Sequence, residues 1–304
     1  MKSNRSNSML TTTEVTYDYL GKKFKSEDAW IGNQLVSISD NCLEIQTSKL
    51  AFSSTLGHFW SQAILLSIFY IGVQMPPSYI PILLLLISID IAIIYNAMLN
   101  IKKNSNIVFN RATQMAYVHL DGKDYNSPWS SLLWTSTINI NGMTKIYFTL
   151  LHKHPDNTQS IHHVELSNDN RSVMHGLTTF INVFMQQGRK ELVIPKFYEW
   201  RSVFNTKVTL SPSEIWQHYA PWPFRRRYCD SVEMNMKIIF WPIWTFLLFP
   251  LLTLFALSWW LICKVFKITP ASVPLSAHQE DCSERYTPQF AAKRLKPFEK
   301  DKGE

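Results

Sequence analysis

The chain has 304 residues, with 30 Lys+Arg against 23 Asp+Glu, a net charge of +7 and a mean hydropathy of −0.08. Such a length allows one or two modest domains. Four cysteines without CxxC spacing exclude a disulfide framework and the common zinc signatures, and they fit a reducing compartment. The sequence contains no P-loop, GxGxxG, HExxH or nucleophile-elbow pattern, so it predicts a protein that is not an enzyme and needs no cofactor.

The first 56 residues divide into a polar arm and a β-rich stretch. Residues 1–29 are rich in Ser and Thr and predict a flexible N-terminus. Within residues 30–56, apolar runs at 35–38 and 43–45 flank a turn signal at 39–41. We expect two short strands here, which begin a cytoplasmic sheet.

The region from 57 to 99 predicts a transmembrane hairpin. Residues 57–75 contain no charged side chain, and residues 79–99 contain only Asp90. A bilayer core about 30 Å thick needs about 20 apolar residues in a helix, so both stretches are long enough. The prolines between them cannot continue a helix, and they turn the chain back.

The pattern over residues 100–188 predicts further antiparallel strands and a closing helix. Asp121-Gly122 and Asn141-Gly142 mark tight turns between β-like runs. From 172 to 187 the apolar period changes to 3.6, and Gly188 is placed to end the helix. We therefore predict one sheet of about six or seven strands around the hairpin, closed by this helix. The predicted strands in this region cover 107–110, 115–120, 145–153 and 161–166, with a further β-like run that starts at Pro128 and continues to Ile140.

Residues 189–237 form a connector with one short helix. Ser211, Pro212 and Glu214 follow the pattern of a capping box, and the helix is expected to end near Tyr219. The capping box therefore predicts a separate helical turn between the sheet and the next apolar stretch.

The third apolar stretch, residues 238–263, predicts another membrane segment. It carries no charge, and tryptophans lie near both ends, as expected at a membrane interface. Pro242 and Pro250 indicate either a kink or a re-entrant segment, and the length favours a kinked span. The basic tail at 264–304 is predicted to be disordered.

Residues 106–134, NIVFNRATQMAYVHLDGKDYNSPWSSLLW, carry a resemblance to a known group of proteins. Phe109-Asn110-Arg111, then Tyr117-Val118, then Pro128-Trp129 follow the hairpin in an order that resembles an uncharacterised bacterial inner-membrane family. Valine-tyrosine is usual in that family where this chain has Ala116-Tyr117. The resemblance implies a pleckstrin-homology-like (PH-like) sheet with an inserted hairpin and no catalytic residues. Family members are encountered beside type VI secretion and other toxin loci.

The fold class predicted from these features is an α+β membrane protein: a transmembrane hairpin inserted in a PH-like sheet, plus a third membrane segment. Lys49 precedes the first span, Lys102 and Lys103 follow the second, and the loop between the spans is uncharged. The positive-inside rule therefore places the hairpin ends and the sheet in the cytoplasm. The basic tail disagrees with this orientation if the third segment crosses once.

Four polar residues of the hairpin are candidate contacts to a partner: Gln62, Ser67, Asp90 and Asn96. A central Asp costs about 2.5–3.5 kcal/mol on insertion scales, and intramembrane carboxylates are functional by default. A helix–helix contact, within the hairpin or to a partner, is favoured over transport. The reason is that no second charge lies within the hairpin spans to relay protons.

A basic run before the third segment is a candidate site for anionic lipid headgroups: Arg225, Arg226 and Arg227. Headgroups are favoured because an apolar stretch follows, whereas no nucleic-acid-binding fold accompanies the run.

Four histidines near one hairpin turn could bind zinc or copper: His152, His154, His162 and His163. No cysteine or clear carboxylate completes that set, so no metal site is predicted.

Two functions remain open from the sequence. The resemblance implies an immunity or accessory protein that binds a toxin or a secretion-system protein in the bacterial inner membrane. Composition alone also allows a membrane-anchored scaffold or lipid-sensing module unrelated to toxins.

Overall fold

The computed structural model of the protein describes residues 13–17, 29, 31, 34–72, 77–131, 133–138, 144–153, 159–169, 171–192, 207–221, 231–281 and 283–287. In this part of the chain it is a mixed α+β protein. The strands are β1 Thr13–Tyr17, β2 Leu35–Ile38, β3 Cys42–Ile45, β4 Ile107–Asn110, β5 Met115–Leu120, β6 Lys123–Pro128, β7 Leu133–Ile138, β8 Thr144–Lys153 and β9 Gln159–Asp169. The helices are α1 Ser48–Gly72, α2 Ile80–Lys103, α3 Arg171–Gln187, α4 Pro212–Tyr219, α5 Ser231–Ile239 and α6 Trp241–Val265.

The described strands form two antiparallel sheets, where the sequence predicts one. The first has the order β1-β7-β8-β9 and the second the order β2-β3-β4-β5-β6. The strands predicted at β2, β3, β4 and β5 are confirmed. The predicted turn at Asp121-Gly122 joins β5 to β6, and φ is 51° and 84° at its two residues. The turn predicted at Asn141-Gly142 lies outside the described residues.

Two strands differ from the sequence-based expectation. β1 falls within residues 1–29, which were expected to be flexible, and it pairs with β7 from Thr13↔Ile138 to Tyr17↔Trp134. β6 is made mostly of polar residues, yet Tyr125 and Ser127 are buried on its inner face. A strand with so few apolar residues gives almost no alternating signal in the sequence.

Both sheets and α3 share one apolar core, and we call them together the sheet domain. The rings of Phe109 in β4 and Phe148 in β8 lie 5.6 Å apart between centroids. Phe180 of α3 belongs to the same buried cluster. α3 ends at Gly188 with φ of 89°, as its sequence predicts. Its predicted apolar face is confirmed at Leu177, Phe180, Ile181 and Phe184.

Helices α1, α2 and α6 pack together in a bundle attached to the sheet domain. At the end next to that domain, Leu50 of α1, Ile101 of α2 and Cys263 of α6 share one apolar cluster. α1 therefore runs away from the sheet domain, and α2 and α6 run toward it. The hydroxyl of Ser48 donates a hydrogen bond of 2.9 Å to the carbonyl of Glu165 in β9 and ties α1 to the sheet.

Among the described residues, two helices are long and apolar enough to cross a membrane, α2 with 24 residues and α6 with 25. α1 begins at Ser48 rather than at residue 57, and its first nine residues mix polar and apolar side chains. α6 contains a π-helical turn, Trp244–Leu248, between its two prolines. Pro250 has no N–H to give to the helix, and the π turn lies where the regular hydrogen-bond pattern is interrupted.

The C-terminal segment, residues 268–281 and 283–287, packs on the five-stranded sheet. Tyr286 and Ile38 exchange backbone hydrogen bonds of 3.0 and 2.7 Å, and the N–H of Ala271 donates to the carbonyl of Asn104 at 3.1 Å. For these residues the expectation of a disordered tail over 264–304 is wrong. Residues 288–304 lie outside the described part of the chain.

Candidate functional site

The four candidate partner contacts of the hairpin do not lie on one face. Asp90 is on the buried side of α2 and is 5% exposed, whereas Asn96 is exposed. Gln62 and Ser67 of α1 are half-buried. Because six residues turn a helix by about 240°, Asp90 and Asn96 leave α2 in different directions.

Asp90 shares the buried face of α2 with apolar side chains only: Leu83, Ile94, Ala97, Met98 and Ile101. Within the described residues, no hydrogen bond or ion pair joins Asp90 to another side chain. The carboxyl group lies inside the bundle, so a separate protein reaches it only when the helices part. Of the four candidate residues, Asn96 is the most exposed, and it is accessible without such a movement.

α1 has a face of small residues that is not among the sites predicted from the sequence. Ser53, Gly57 and Ser61 recur every four residues, and Ser53 and Ser61 are buried. A Cβ atom added at Gly57 would overlap the ring of Trp259 in α6, and the hydroxyls of Ser61 and Ser258 lie 3.5 Å apart. Small residues at this spacing let helix backbones approach closely, as in helices that pack within membranes.

Exposed lysines surround the end of the bundle next to the sheet domain, and we call them the lysine collar: Lys49, Lys102, Lys103, Lys264 and Lys267. Lys102 Nζ donates to the carbonyl of Phe266 at 3.0 Å, which joins the ends of α2 and α6. Lys49 pairs with Asp121 in the β5–β6 turn at 2.6 Å. Near an anionic lipid surface each such charge contributes about 1 kcal/mol.

The connector helix α4 lies along α6. The indole N–H of Trp259 donates to the carbonyl of Val208 at 2.9 Å, and the indole N–H of Trp244 donates to that of Tyr219 at 2.8 Å. The chain through α4 therefore runs away from the sheet domain while α6 returns toward it. The candidate headgroup residues Arg225, Arg226 and Arg227 lie outside the described residues.

The capping box predicted at the start of α4 is confirmed. Glu214 accepts the backbone N–H of Ser211 at 2.9 Å, and Lys207 Nζ lies 2.6 Å from its other oxygen. Burial raises the pKa of Glu214, but the hydrogen bonds from Lys207 and Ser211 outweigh burial and leave the pKa below its ordinary value. The ionised carboxylate thus holds the start of the helix.

The residues that carry the family resemblance lie where the C-terminal segment meets the sheet. Asn110 is fully buried and donates through Nδ2 to the carbonyls of Ala277 at 3.1 Å and Gln279 at 2.9 Å. Phe109 packs edge-to-face on Trp129, with ring centroids 5.9 Å apart. The motif residues therefore hold the core and fasten the C-terminal segment.

A cluster of possible metal ligands lies at the same junction. Cys42 at the start of β3 and His278 and Asp281 of the C-terminal segment offer ligand atoms that all lie within 4.8 Å of one another. Burial raises the pKa of the Cys42 thiol to about 12, and the charge of Asp281 adds to this shift. The cluster combines a thiol, an imidazole and a carboxylate, and the sequence could not reveal it because its members lie far apart along the chain.

The histidines considered from the sequence have other contacts. The His162 ring packs on Tyr125 with centroids 4.1 Å apart, and His163 Nδ1 lies 3.2 Å from the hydroxyl of Thr149. The side chain of His152 and all of His154 lie outside the described part of the structure.

Comparison of the chain with protein-family models, with curated proteins and with solved structures finds no match.

Proposed function

We propose that this chain is a non-enzymatic inner-membrane protein that acts by binding a partner protein. In its specific form, the proposal is an immunity or accessory protein of a type VI secretion or other interbacterial toxin system. The proposed binding role rests on one observation, that a packed sheet domain is attached to a helical bundle with an apolar outer face. The resemblance of residues 106–134 supplies the link to toxin systems.

The apolar outer face supports insertion into a membrane. α2 exposes Ile82, Leu85 and Ile91, and α6 exposes Phe246 and Leu247. Contiguous apolar surface of this kind is costly in water and stable in hydrocarbon. We assign α1 and α2 to a transmembrane hairpin and α6 to the third membrane segment.

The residues on either side of the stretch 193–267 both belong to or contact the sheet domain. This placement supports a single orientation of the chain relative to the membrane. Leu192 belongs to the core of the sheet domain, and Ala271 is bonded to Asn104 at its edge. A stretch that leaves and rejoins one domain crosses a membrane an even number of times, or enters and returns on the same side. The basic tail then shares the side of the sheet domain, and by the positive-inside rule the lysine collar favours the cytoplasm for that side.

The arrangement of the sheet domain supports the PH-like assignment. The resemblance implies an antiparallel sheet closed by a single helix, and here two antiparallel sheets share one core with the helix that follows the last strand. In this assignment α1 and α2 are an insertion between β3 and β4, which pair directly from Cys42↔Asn110 to Ile45↔Ile107. The two sides of the insertion therefore meet in one sheet.

Co-expression tests the immunity function. Cells that produce the toxin encoded beside this gene should grow when the chain is present and die when it is absent. Equal killing in both strains contradicts immunity.

Two variants locate the contact with the partner. Asn96→Leu should abolish protection if the toxin is bound within the membrane, and Tyr95→Leu, at a neighbouring exposed position, serves as the matched control. Full protection by both variants assigns recognition to the sheet domain.

The lysine collar favours a second candidate, a membrane-anchored module that senses anionic lipid. Replacing Lys102 and Lys103 with Gln should then reduce the anionic lipid that co-purifies with the chain in detergent. Lipid mass spectrometry measures this ratio, and an unchanged ratio contradicts the lipid-sensing candidate.

A further inference from the structure

Three side chains with different ligand atoms meet where the C-terminal segment crosses the β2–β3 turn. We propose that Cys42, His278 and Asp281 bind a zinc ion that fastens the C-terminal segment to the sheet domain. The site is independent of the toxin-related function proposed above.

The geometry is close to that of an occupied site. The three ligand atoms lie within 4.8 Å of one another. Tetrahedral zinc with bonds of about 2.0–2.3 Å holds its ligand atoms about 3.3–3.8 Å apart. A movement of about 1 Å closes the cluster around the ion, and the fourth position is left for water or another ligand.

The carboxylate and the imidazole of this cluster are unusual in a buried position without a metal. The side chain of Asp281 is 0% exposed, and its nearest cation is Arg285, whose Nε lies 3.6 Å away. Nδ1 of His278 is buried, and it has no hydrogen-bond partner among the described residues. Cys42 is 3% exposed, and its Sγ lies 3.5 Å from the carbonyl of Ala277. A zinc ion would give the buried Nδ1 of His278 a partner, with the carboxylate of Asp281 and the sulfur of Cys42 as its other protein ligands.

The surroundings orient the carboxylate. The hydroxyls of Ser39 and Ser283 donate to Asp281 at 2.9 and 2.8 Å, one from the β2–β3 turn and one from the C-terminal segment. Outer hydrogen bonds of this kind fix the ligands of metal sites. Thiolate, imidazole and carboxylate together suit zinc better than magnesium or calcium, which prefer oxygen ligands alone.

The binding step is balanced by release of a proton. The thiol of Cys42 loses its proton to solvent when the sulfur binds the ion, as coordinated thiols do. The zinc then links residue 42 to residues 278 and 281 and adds to the hydrogen bonds of Asn110. The end of α6 becomes fixed to the sheet domain through this link.

Metal content and cobalt spectroscopy test the site on the full-length protein in detergent with a reducing agent. The wild-type chain should retain zinc through dialysis, and Co²⁺ should replace it with a thiolate-to-cobalt charge-transfer band. Cys42→Ser should lose the band and the zinc, while the matched variant Cys263→Ser, a buried cysteine in α6, should keep both. A wild-type chain that binds neither metal overturns the proposal, as does a Cys42→Ser variant that keeps the band.

Limited digestion with trypsin measures the fastening directly. Chelation of zinc should speed cleavage after Arg285 by about tenfold in the wild-type chain, because bound ligands stabilise the closed state. Cys42→Ser should be cut at the fast rate with or without zinc. A wild-type rate that does not change on chelation overturns the fastening role.

Discussion

Phe180 in the sheet domain is 0% exposed, whereas Phe246 in the bundle is 78% exposed. The same contrast holds between Leu43 of β3, at 0%, and Leu85 of α2, at 62%. The sheet domain gains its stability by removing apolar side chains from water. The bundle turns many of them outward, and its helices also meet through small residues and polar contacts, such as that between the hydroxyls of Ser61 and Ser258, 3.5 Å apart. The two regions therefore differ in where they place apolar side chains, inward in the sheet domain and largely outward in the bundle.

The largest expected effect comes from removing one phenylalanine in each region. Phe180→Ala should lower the free energy of unfolding by about 3–5 kcal/mol, because the cavity lies in a closed core. The matched change Phe246→Ala should shift it by less than about 0.5 kcal/mol. Denaturant titration in detergent, followed by circular dichroism, measures both. Equal losses would remove the contrast between the regions.

Gly57 tests how closely the bundle helices approach. Gly57→Ala should cost about 1–3 kcal/mol, because the added methyl group overlaps the ring of Trp259. On an exposed helix the same change raises the free energy of unfolding by about 1 kcal/mol. The sign of the measured change therefore shows whether α1 and α6 are in close contact at Gly57. In a Trp259→Ala background the penalty should vanish. A stabilising effect of Gly57→Ala in the wild-type background contradicts the close contact between α1 and α6.

The smallest effect concerns the polar start of α4. Since the pKa of Glu214 is lowered in the folded chain, its contribution is present above the ordinary pKa of 4.5 and is lost as pH falls through the folded value. The contribution of this partly exposed pair should stay below about 1 kcal/mol. Between pH 6 and pH 3, the Tm from thermal melts should fall more steeply with decreasing pH for the wild-type chain than for Glu214→Gln. Parallel curves contradict the prediction.

The sequence predicted the parts that apolar spacing controls. The turn between β2 and β3 and the buried face of α3 follow directly from periodicity. The division into two sheets could not be predicted from the sequence. The alternation of apolar and polar residues indicates which side chains face inward, but it does not indicate which strands pair. The C-terminal segment was missed because Ala277 and Gln279 bind Asn110 through backbone carbonyls, which every residue has.

The candidate residues of the bundle could be predicted from the sequence only in part. Asp90 stands out as the one charge in its span, but its burial depends on which face of α2 meets the other helices. Ser53, Gly57 and Ser61 show the spacing of a packing face, and only the structure supplies Trp259 as its partner. Neighbours from distant parts of the chain are set by tertiary packing, which local patterns do not encode.

Cysteine labelling from outside tests the central claim, that the bundle is embedded and that the sheet domain and the C-terminal segment share the cytoplasmic side. Ser78→Cys at the tip of the hairpin, Lys123→Cys in the sheet domain and Leu275→Cys in the C-terminal segment are all exposed positions. In spheroplasts treated with a membrane-impermeant maleimide, we expect labelling above the parent chain only at residue 78. Positions 123 and 275 should react only after permeabilisation. Labelling of position 275 while 123 stays protected, or protection of position 78, would contradict the account.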